Sequence, residues 1–389
     1  MKRPIPNAVP YLGGNEWQYL KECLDTNWVS SAGPFVDRFE TEIAKYVGVE
    51  HAVATVNGTA ALHVALLLAG VGAGDEVIVP SLTFIATANA VRYCGAFPVF
   101  MDSEPETWTI DPGKVDAFIG SECELRAGSL VNRTTGRRVA ALVPVHLYGH
   151  PVDLDPLLEL AASVGVAVVE DGAEALGALY KGRRVGAHGL IGCLSFNGNK
   201  IITSGGGGMI LTRDAALGTR ARHLTTQARE PGPEWVHHEI GFNYRLTNLQ
   251  AALGVAQLEQ LDRFVDDKRR TAADYTAALR RLPGVSPLGE APWAFSTAWM
   301  YSVLLDPDCF GDIRELIVRA KREGIQLRPL WRPLHGQPAF AGCQAYRIDV
   351  ADRLYARGVS LPCSVGITPE ERAAVVEFLM GAARRASGR

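Results

Sequence analysis

One lysine of this 389-residue chain stands in a context suited to a buried amine, a setting that lysine rarely adopts. Lys200 follows the apolar stretch Gly189–Leu194 and precedes the glycine run Gly205–Gly208, which removes side-chain bulk. Burial disfavours the charged form of lysine and lowers its pKa, so the amine becomes nucleophilic toward an aldehyde. The segment predicts a lysine able to form a Schiff base, and the competing interpretation is a surface lysine beside a flexible turn.

A carboxylate at the end of an apolar run is the second residue suited to chemistry. Asp171 follows Val166–Glu170, a predicted strand, and α/β sheets bind ligands at the C-terminal ends of their parallel strands. A carboxylate there can keep the ring nitrogen of an aromatic cofactor protonated, so that the ring withdraws electrons. The competing interpretation is an aspartate that caps a following helix.

Three further segments offer weaker signals for binding groups. Gly58 and Thr59 stand at a predicted strand-to-helix turn, where backbone N–H groups and the helix dipole bind phosphate. Phe84 could stack on a flat ring or could be an ordinary core aromatic. Gly241–Leu249 carries polar groups that open a long helical pattern and could simply cap it. None of the three identifies a site alone.

The elements that must position these residues alternate along the chain. Short apolar runs separated by helical patterns are typical of an α/β fold with a mainly parallel sheet covered on both faces. The polar, turn-rich segment Gly120–Arg138 interrupts this rhythm and is predicted to be a surface insertion. The predicted strands are Ala52–Val56, Glu76–Pro80, Phe97–Met101, Val139–Val145 and Val166–Glu170, and the predicted helices between them are Thr83–Tyr93 and Asp155–Val164.

The same pattern of predicted elements along the chain indicates two domains. Residues 1–250 are predicted to form an N-terminal arm and a large domain. Residues 251–389 are predicted to form a bridging helix and a smaller C-terminal α/β domain. The bridge is inferred from one helical pattern that runs from Thr247 to about Leu279 with little Gly or Pro.

Composition narrows the classes of partner and compartment. The formal net charge of -3 gives no reason to expect nucleic acid as a partner. No apolar run approaches the roughly 20 residues that span a bilayer, and no signal-peptide core precedes the first predicted elements. The seven cysteines are odd in number and lack CxxC spacing, which argues against a complete disulfide framework and a zinc site. A cytoplasmic protein without a metal site is expected.

Taken together, the order and spacing of these motifs resemble the sugar aminotransferase family named after DegT, DnrJ and StrS. The resemblance runs from Asn27–Gly33 through Pro329–His335 and includes the segment Ser195–Lys200. It implies a type I PLP-dependent aminotransferase fold, with pyridoxal 5′-phosphate (PLP) as cofactor. It also implies a homodimer with shared active sites.

The resemblance assigns roles to individual residues. Lys200 would bind the cofactor aldehyde, Asp171 would face its ring nitrogen, and both would be catalytic. Glu174 stands where many members have Gln near the cofactor 3-hydroxyl. Phe84 would stack on the ring, and Asn243 would reach the cofactor phosphate of the neighbouring subunit. The phosphate-binding positions would be Gly58, Thr59 and Ser195, and the candidate sugar or nucleotide contacts are Ser30, Ser31, Arg229, Trp331 and His335.

The resemblance also narrows the reaction. Lys200 favours amino transfer, because some dehydratases of the family carry His at this position. The chain is most similar to aminotransferases of the legionaminic acid and bacillosamine type. This implies transfer of an amino group from L-glutamate to C4 of UDP-2-acetamido-2,6-dideoxy-4-hexulose, for bacterial glycan or nonulosonic acid biosynthesis. The alternatives are a GDP-4-keto-sugar, a dTDP-3-keto- or 4-keto-sugar, a PLP-dependent sugar dehydratase and a non-catalytic regulator.

Overall fold

The computed structural model describes residues 4–386, and an eight-stranded sheet forms its centre. In chain order the strands are β1 (His51–Thr55), β2 (Glu76–Pro80), β3 (Phe97–Met101), β4 (Cys123–Arg126), β5 (Ser129–Asn132), β6 (Val139–Leu142), β7 (Ala167–Asp171), β8 (Leu179–Tyr180), β9 (Arg183–Arg184), β10 (Ile191–Ser195), β11 (Gly208–Thr212), β12 (Val285–Pro287), β13 (Ala294–Phe295), β14 (Tyr301–Leu305), β15 (Arg328–Pro329), β16 (Ala345–Tyr346) and β17 (Gly358–Leu361). The helices are α1 (Glu16–Asp25), α2 (Pro34–Val47), α3 (Gly58–Leu68), α4 (Ala86–Tyr93), α5 (Pro112–Glu122), α6 (Leu154–Val164), α7 (Ala215–Thr225), α8 (Asn248–Leu258), α9 (Leu261–Leu279), α10 (Pro307–Phe310), α11 (Ile313–Arg322), α12 (Val350–Arg357) and α13 (Pro369–Ala386).

The large sheet is mainly parallel, as predicted. Its strand order is β1-β11-β10-β7-β6-β2-β3-β16. The ladders from β10 across to β16 are parallel, and only the two ladders that involve β11 are antiparallel. The prediction of an α/β fold built on a mainly parallel sheet is confirmed.

Both faces of the sheet are covered by helices, because side chains alternate along its strands. Val77 and Val79 of β2 join a buried cluster with Leu62 of α3. Ile78, between them, points to the other face and joins a cluster with Phe118 of α5. Each such side chain stabilises the fold by about 1.5–3 kcal/mol relative to an exposed one.

Smaller sheets complete the architecture. A four-stranded sheet in the order β12-β14-β17-β15 belongs to the C-terminal part of the chain, where a smaller α/β unit is expected. A three-stranded sheet joins β13 to β8 and β9. The segment predicted as a surface insertion, Gly120–Arg138, contains the antiparallel pair β4 and β5.

The sequence predicts a single bridging helix from Thr247 to about Leu279. This prediction is wrong in one respect, because the structure has two helices there, α8 and α9. The break falls at Gln260, whose φ of -112° and ψ of 0° interrupt the helix. Gln260 donates to Glu16 at 3.1 Å, and the preceding Glu259 accepts from the Tyr19 hydroxyl at 2.7 Å. The partners in both bonds are side chains of α1, which is far away in sequence. No Gly or Pro beside Gln260 marks the break in the sequence.

Two connections join the predicted domains across their boundary. The backbone N–H of Ile5 donates to Gly324 O at 2.8 Å, which ties the N-terminal arm to the C-terminal part. Strand β16 pairs with β3 and forms one edge of the large sheet. The division at residue 250 stays a prediction. No helix within residues 4–386 combines the length and the apolar character needed to cross a bilayer.

Candidate active site

A cavity of about 350 Å³ opens at the C-terminal ends of β7 and β10, beside the N-terminus of α3. This volume is large enough for a small molecule, and the location is where α/β sheets bind ligands. Most of the side chains predicted for the site line it. They are Gly58, Thr59, Phe84, Asp171, Glu174, Ser195, Lys200 and Trp331.

Lys200 lies on the loop that leaves β10, and its side chain is only 12% exposed. Its Nζ is 3.8 Å from Glu174 Oε1 and 4.3 Å from the ring centre of Trp299. The Trp299 indole donates to the backbone carbonyl of Asn199 at 2.8 Å and so fixes the loop next to the lysine. Burial lowers the pKa of Lys200, while the carboxylates of Glu174 and Asp171 act in the opposite direction. A larger neutral fraction makes this amine a better nucleophile and base than a surface lysine.

Asp171 ends β7 and is 4% exposed. One carboxylate oxygen accepts from the Thr87 hydroxyl at 2.8 Å, and the other accepts from the Ala173 N–H at 3.1 Å. Burial raises the pKa of Asp171, and the hydrogen bonds from Thr87 and Ala173 oppose that shift. The helix-cap interpretation is wrong, because turns lead from β7 to β8 and no helix begins between them in the described chain. A cationic group in the cavity would compensate the buried charge.

The N-terminus of α3 forms the anion-binding end of the cavity. The Asn57 side chain caps the helix by accepting from the Ala60 N–H at 2.8 Å. A Cβ at Gly58 would lie 2.8 Å from the Ser195 Cβ, so only glycine allows the helix to begin this close to β10. Free N–H groups and the helix dipole favour a phosphate at this point.

The cavity fits PLP in its charges and shape. The start of α3, with Thr59 and Ser195, suits the phosphate, and Phe84 presents a ring that is 47% exposed for stacking. Asp171 is the buried carboxylate that a protonated ring nitrogen requires, and Lys200 is the amine that an aldehyde requires.

Five predicted residues do not line this cavity in the described chain. Ser30, Ser31 and Asn243 are exposed. Arg229 packs over the Trp235 ring at 4.1 Å and lines a separate cavity. The His335 ring lies within 2.7 Å of the Ser81 hydroxyl. The substrate roles of these residues and the cross-subunit role of Asn243 stay predictions.

Sequence reasoning missed two residues that hold the central side chains. Thr87 stands three positions after Phe84, and its small hydroxyl in the first turn of α4 gave the one local hint. Trp299 comes from a segment about a hundred residues after Lys200, so nothing in the sequence joins the two. Both are positioning groups whose role depends on tertiary contacts.

Comparisons with known proteins identify the family of the chain and several relatives. The sequence model of the DegT/DnrJ/EryC1/StrS aminotransferase family matches residues 10–380. A GDP-perosamine synthase of Caulobacter vibrioides is 41% identical over 96% of this chain and 97% of its own length. A second GDP-perosamine synthase, from Escherichia coli O157:H7, is 40% identical over 94% of this chain and 95% of its own length. The solved structure of DesI in the presence of its TDP-sugar product superposes with a TM-score of 0.88 at 30% identity, over 100% of this chain and 95% of DesI.

Proposed function

The chain belongs to the DegT/DnrJ/EryC1/StrS aminotransferase family and is a PLP-dependent sugar aminotransferase, and we propose that it moves the amino group of L-glutamate to the C4 keto group of a nucleotide-linked sugar. One observation carries the proposal. The buried amine of Lys200 and the buried carboxylate of Asp171 share one cavity with the phosphate-binding end of α3. A protein that only bound sugars, without catalysing a reaction, would not need a desolvated lysine at this position.

Each residue of the site has a separate chemical role in the proposed reaction. Bound PLP supplies an aldehyde and an electron-withdrawing ring. Lys200 Nζ is the base that removes the proton at Cα of the amino donor and the acid that returns a proton to the sugar carbon. Asp171 holds the proton on the ring nitrogen, and the start of α3 orients the phosphate. Because donor and acceptor use one site in turn, ping-pong kinetics are expected.

Two lines of support point to different nucleotides. Two of the relatives are GDP-perosamine synthases, which favours a GDP-4-keto-6-deoxy-sugar. The resemblance to the legionaminic acid and bacillosamine enzymes favours UDP-2-acetamido-2,6-dideoxy-4-hexulose. The GDP-linked sugar ranks first because its support covers 96% of the chain at 41% identity.

A substrate panel tests the reaction and the nucleotide together. The holoenzyme receives L-glutamate with the GDP-, UDP- or dTDP-linked 4-keto-6-deoxy-sugar, and 2-oxoglutarate and amino-sugar are quantified. The proposal expects equal amounts of both products, with kcat/KM at least about tenfold higher for one nucleotide. Consumption of the keto-sugar without 2-oxoglutarate would indicate a dehydratase instead. Intersecting initial-rate lines would contradict the shared site.

The homodimer with shared sites is part of the same proposal. Asn243 is exposed and lies close in sequence to Trp235 and Ile240, whose side chains are 76% and 87% exposed. Large apolar side chains exposed together mark a protein interface more often than free surface. A second copy of the chain would cover them and would receive Asn243 at its own cavity.

Mixing an impaired variant with an inactive one tests the shared site. Asn243→Asp would place a negative charge near the partner's phosphate and is expected to lower activity by about tenfold or more. Lys200→Ala abolishes activity in its own cavity. If Asn243 serves the partner, a mixed dimer keeps one intact site, and an equal mixture should regain about a quarter of wild-type activity. The pure variants, denatured and refolded separately, are the controls. No recovery in a mixture that contains heterodimers would show that Asn243 acts within its own chain.

A further inference from the structure

Glu174 accepts two N–H groups that come from different parts of the chain. Its Oε2 accepts from the backbone N–H of Tyr148 at 2.8 Å, and its Oε1 accepts from the indole N–H of Trp331 at 3.1 Å. The backbone N–H of Trp331 in turn donates to the Tyr148 hydroxyl at 3.0 Å. Three residues thus close a ring of hydrogen bonds, through two backbone N–H groups and one indole N–H, that includes the buried carboxyl group.

Only a carboxylate satisfies both donors. A backbone N–H and an indole N–H can donate but cannot accept, whereas a glutamine offers one accepting oxygen and one donating NH₂ group. With Gln at position 174, which is 4% exposed, one of the two N–H groups would face another donor away from water. The resemblance marks Gln as common at this position, and here Trp331 supplies a reason for Glu.

The surroundings of Glu174 act on its charge in both directions. Burial and the nearby Asp171 carboxylate raise the pKa of Glu174, whereas the Lys200 amine, the Tyr148 N–H and the Trp331 indole oppose that shift. The amine of Lys200 lies 3.8 Å from the oxygen that Trp331 contacts. The carboxylate therefore faces the catalytic lysine and the tryptophan together.

Trp331 forms a wall of the cavity. Its ring centre is 5.1 Å from that of Phe84, at an angle of 59°. It stacks on Tyr148 at 6.2 Å and 29°. The residue is half-buried, stands two positions after the end of β15 and lines the cavity with its indole. The indole N–H donates to Glu174, so the flat apolar face of the ring remains for contact. Such a face suits the apolar face of a sugar ring.

We propose that Glu174 is a positioning residue that holds the Trp331 indole in place, and that the Glu174–Trp331 pair selects the keto-sugar without taking part in proton transfer. The inference rests on the proposed function, because it assigns this wall to the sugar substrate. L-Glutamate is the smaller substrate and reacts next to Lys200. Loss of the wall should therefore weaken the sugar half of the reaction and spare the glutamate half.

Three variants of the holoenzyme test the pair: Glu174→Gln, Trp331→Phe and the double variant. Each single change is expected to raise KM for the keto-sugar by about tenfold, and the double variant should be no worse than Trp331→Phe alone. In Trp331→Phe the rate at which L-glutamate bleaches the visible cofactor absorbance should stay within about twofold of wild type, whereas Glu174→Gln also removes a charge beside Lys200 and is compared on the keto-sugar KM alone. Deuterium uptake of the peptide that covers residues 328–335 should rise in Glu174→Gln. Glu159→Gln, a change at an exposed position of α6, is the matched control.

Other outcomes overturn the inference. A glutamate half-reaction that is slowed in Trp331→Phe as much as the sugar half-reaction would show that the wall does not select the sugar. Unchanged KM and unchanged deuterium uptake would remove the positioning role. If Glu174→Gln does not fold, Trp331→Phe decides through the same two kinetic readouts. If the wild-type enzyme accepts no keto-sugar, the proposed function fails separately, while deuterium uptake still decides whether the carboxylate holds the indole.

Discussion

Replacing Lys200 by alanine is expected to lower turnover by at least about 10³-fold. The amine is the only group in the cavity placed both to bond to an aldehyde and to move a proton, and burial lowers its pKa toward the working range. The variant should still bind PLP, because the start of α3 and Asp171 are unchanged. The measurement is the release of 2-oxoglutarate from L-glutamate, followed together with the visible absorbance of the cofactor.

A matched surface variant separates chemistry from general damage. Lys181 is 51% exposed and pairs with Asp155 on the surface, so Lys181→Ala should keep wild-type activity. Added small primary amines should restore part of the activity of Lys200→Ala, since they can replace the missing base. Turnover of Lys200→Ala near the wild-type rate without added amine would refute the assignment.

Replacing Asp171 by asparagine is expected to cost about 10²–10³-fold in kcat. The amide has nearly the same shape and can still accept a hydrogen bond from Thr87, but it carries no negative charge. Without that charge the ring nitrogen loses its proton, and the ring withdraws electrons poorly. The rate of the glutamate half-reaction is the direct measurement.

The control for Asp171→Asn is the same change at Asp155, the partner of Lys181 in the surface ion pair. Asp155 is 47% exposed, and Asp155→Asn should leave the half-reaction unchanged. Thermal unfolding of both variants should remain cooperative, which would show that the loss is chemical. Near wild-type activity of Asp171→Asn would mean that the carboxylate has a structural role only.

The sequence was sufficient to predict most strands of the large sheet, but not β11 or β16. Strands β2 and β3 are largely apolar runs, and both were predicted to the residue. Asp171 ends one such run and Lys200 follows another, and parallel strands bring their C-terminal ends to one edge. These conclusions need only local patterns and the rules of α/β topology.

Other parts of the site depend on contacts that no local pattern records. Trp299 reaches Asn199 across about a hundred residues, and the break at Gln260 lies where side chains of α1 bind Gln260 and Glu259. The proposed shared site would account for the exposed position of Asn243. A residue that serves a second copy of the chain lies outside its own cavity, and a single sequence does not distinguish this case from an ordinary surface residue.

The short strand β16 has a consequence for how the protein can be divided or truncated. It lies beyond residue 340, yet it covers the edge of β3, which is otherwise the last strand of the large sheet. A fragment that stops at residue 250 would leave the N–H and C=O groups of β3 unpaired and open to strands of other molecules. Such fragments should self-associate, and a nascent chain would carry the same exposed edge until β16 leaves the ribosome. The large sheet therefore depends on a segment made late in synthesis, although most of its strands are made early.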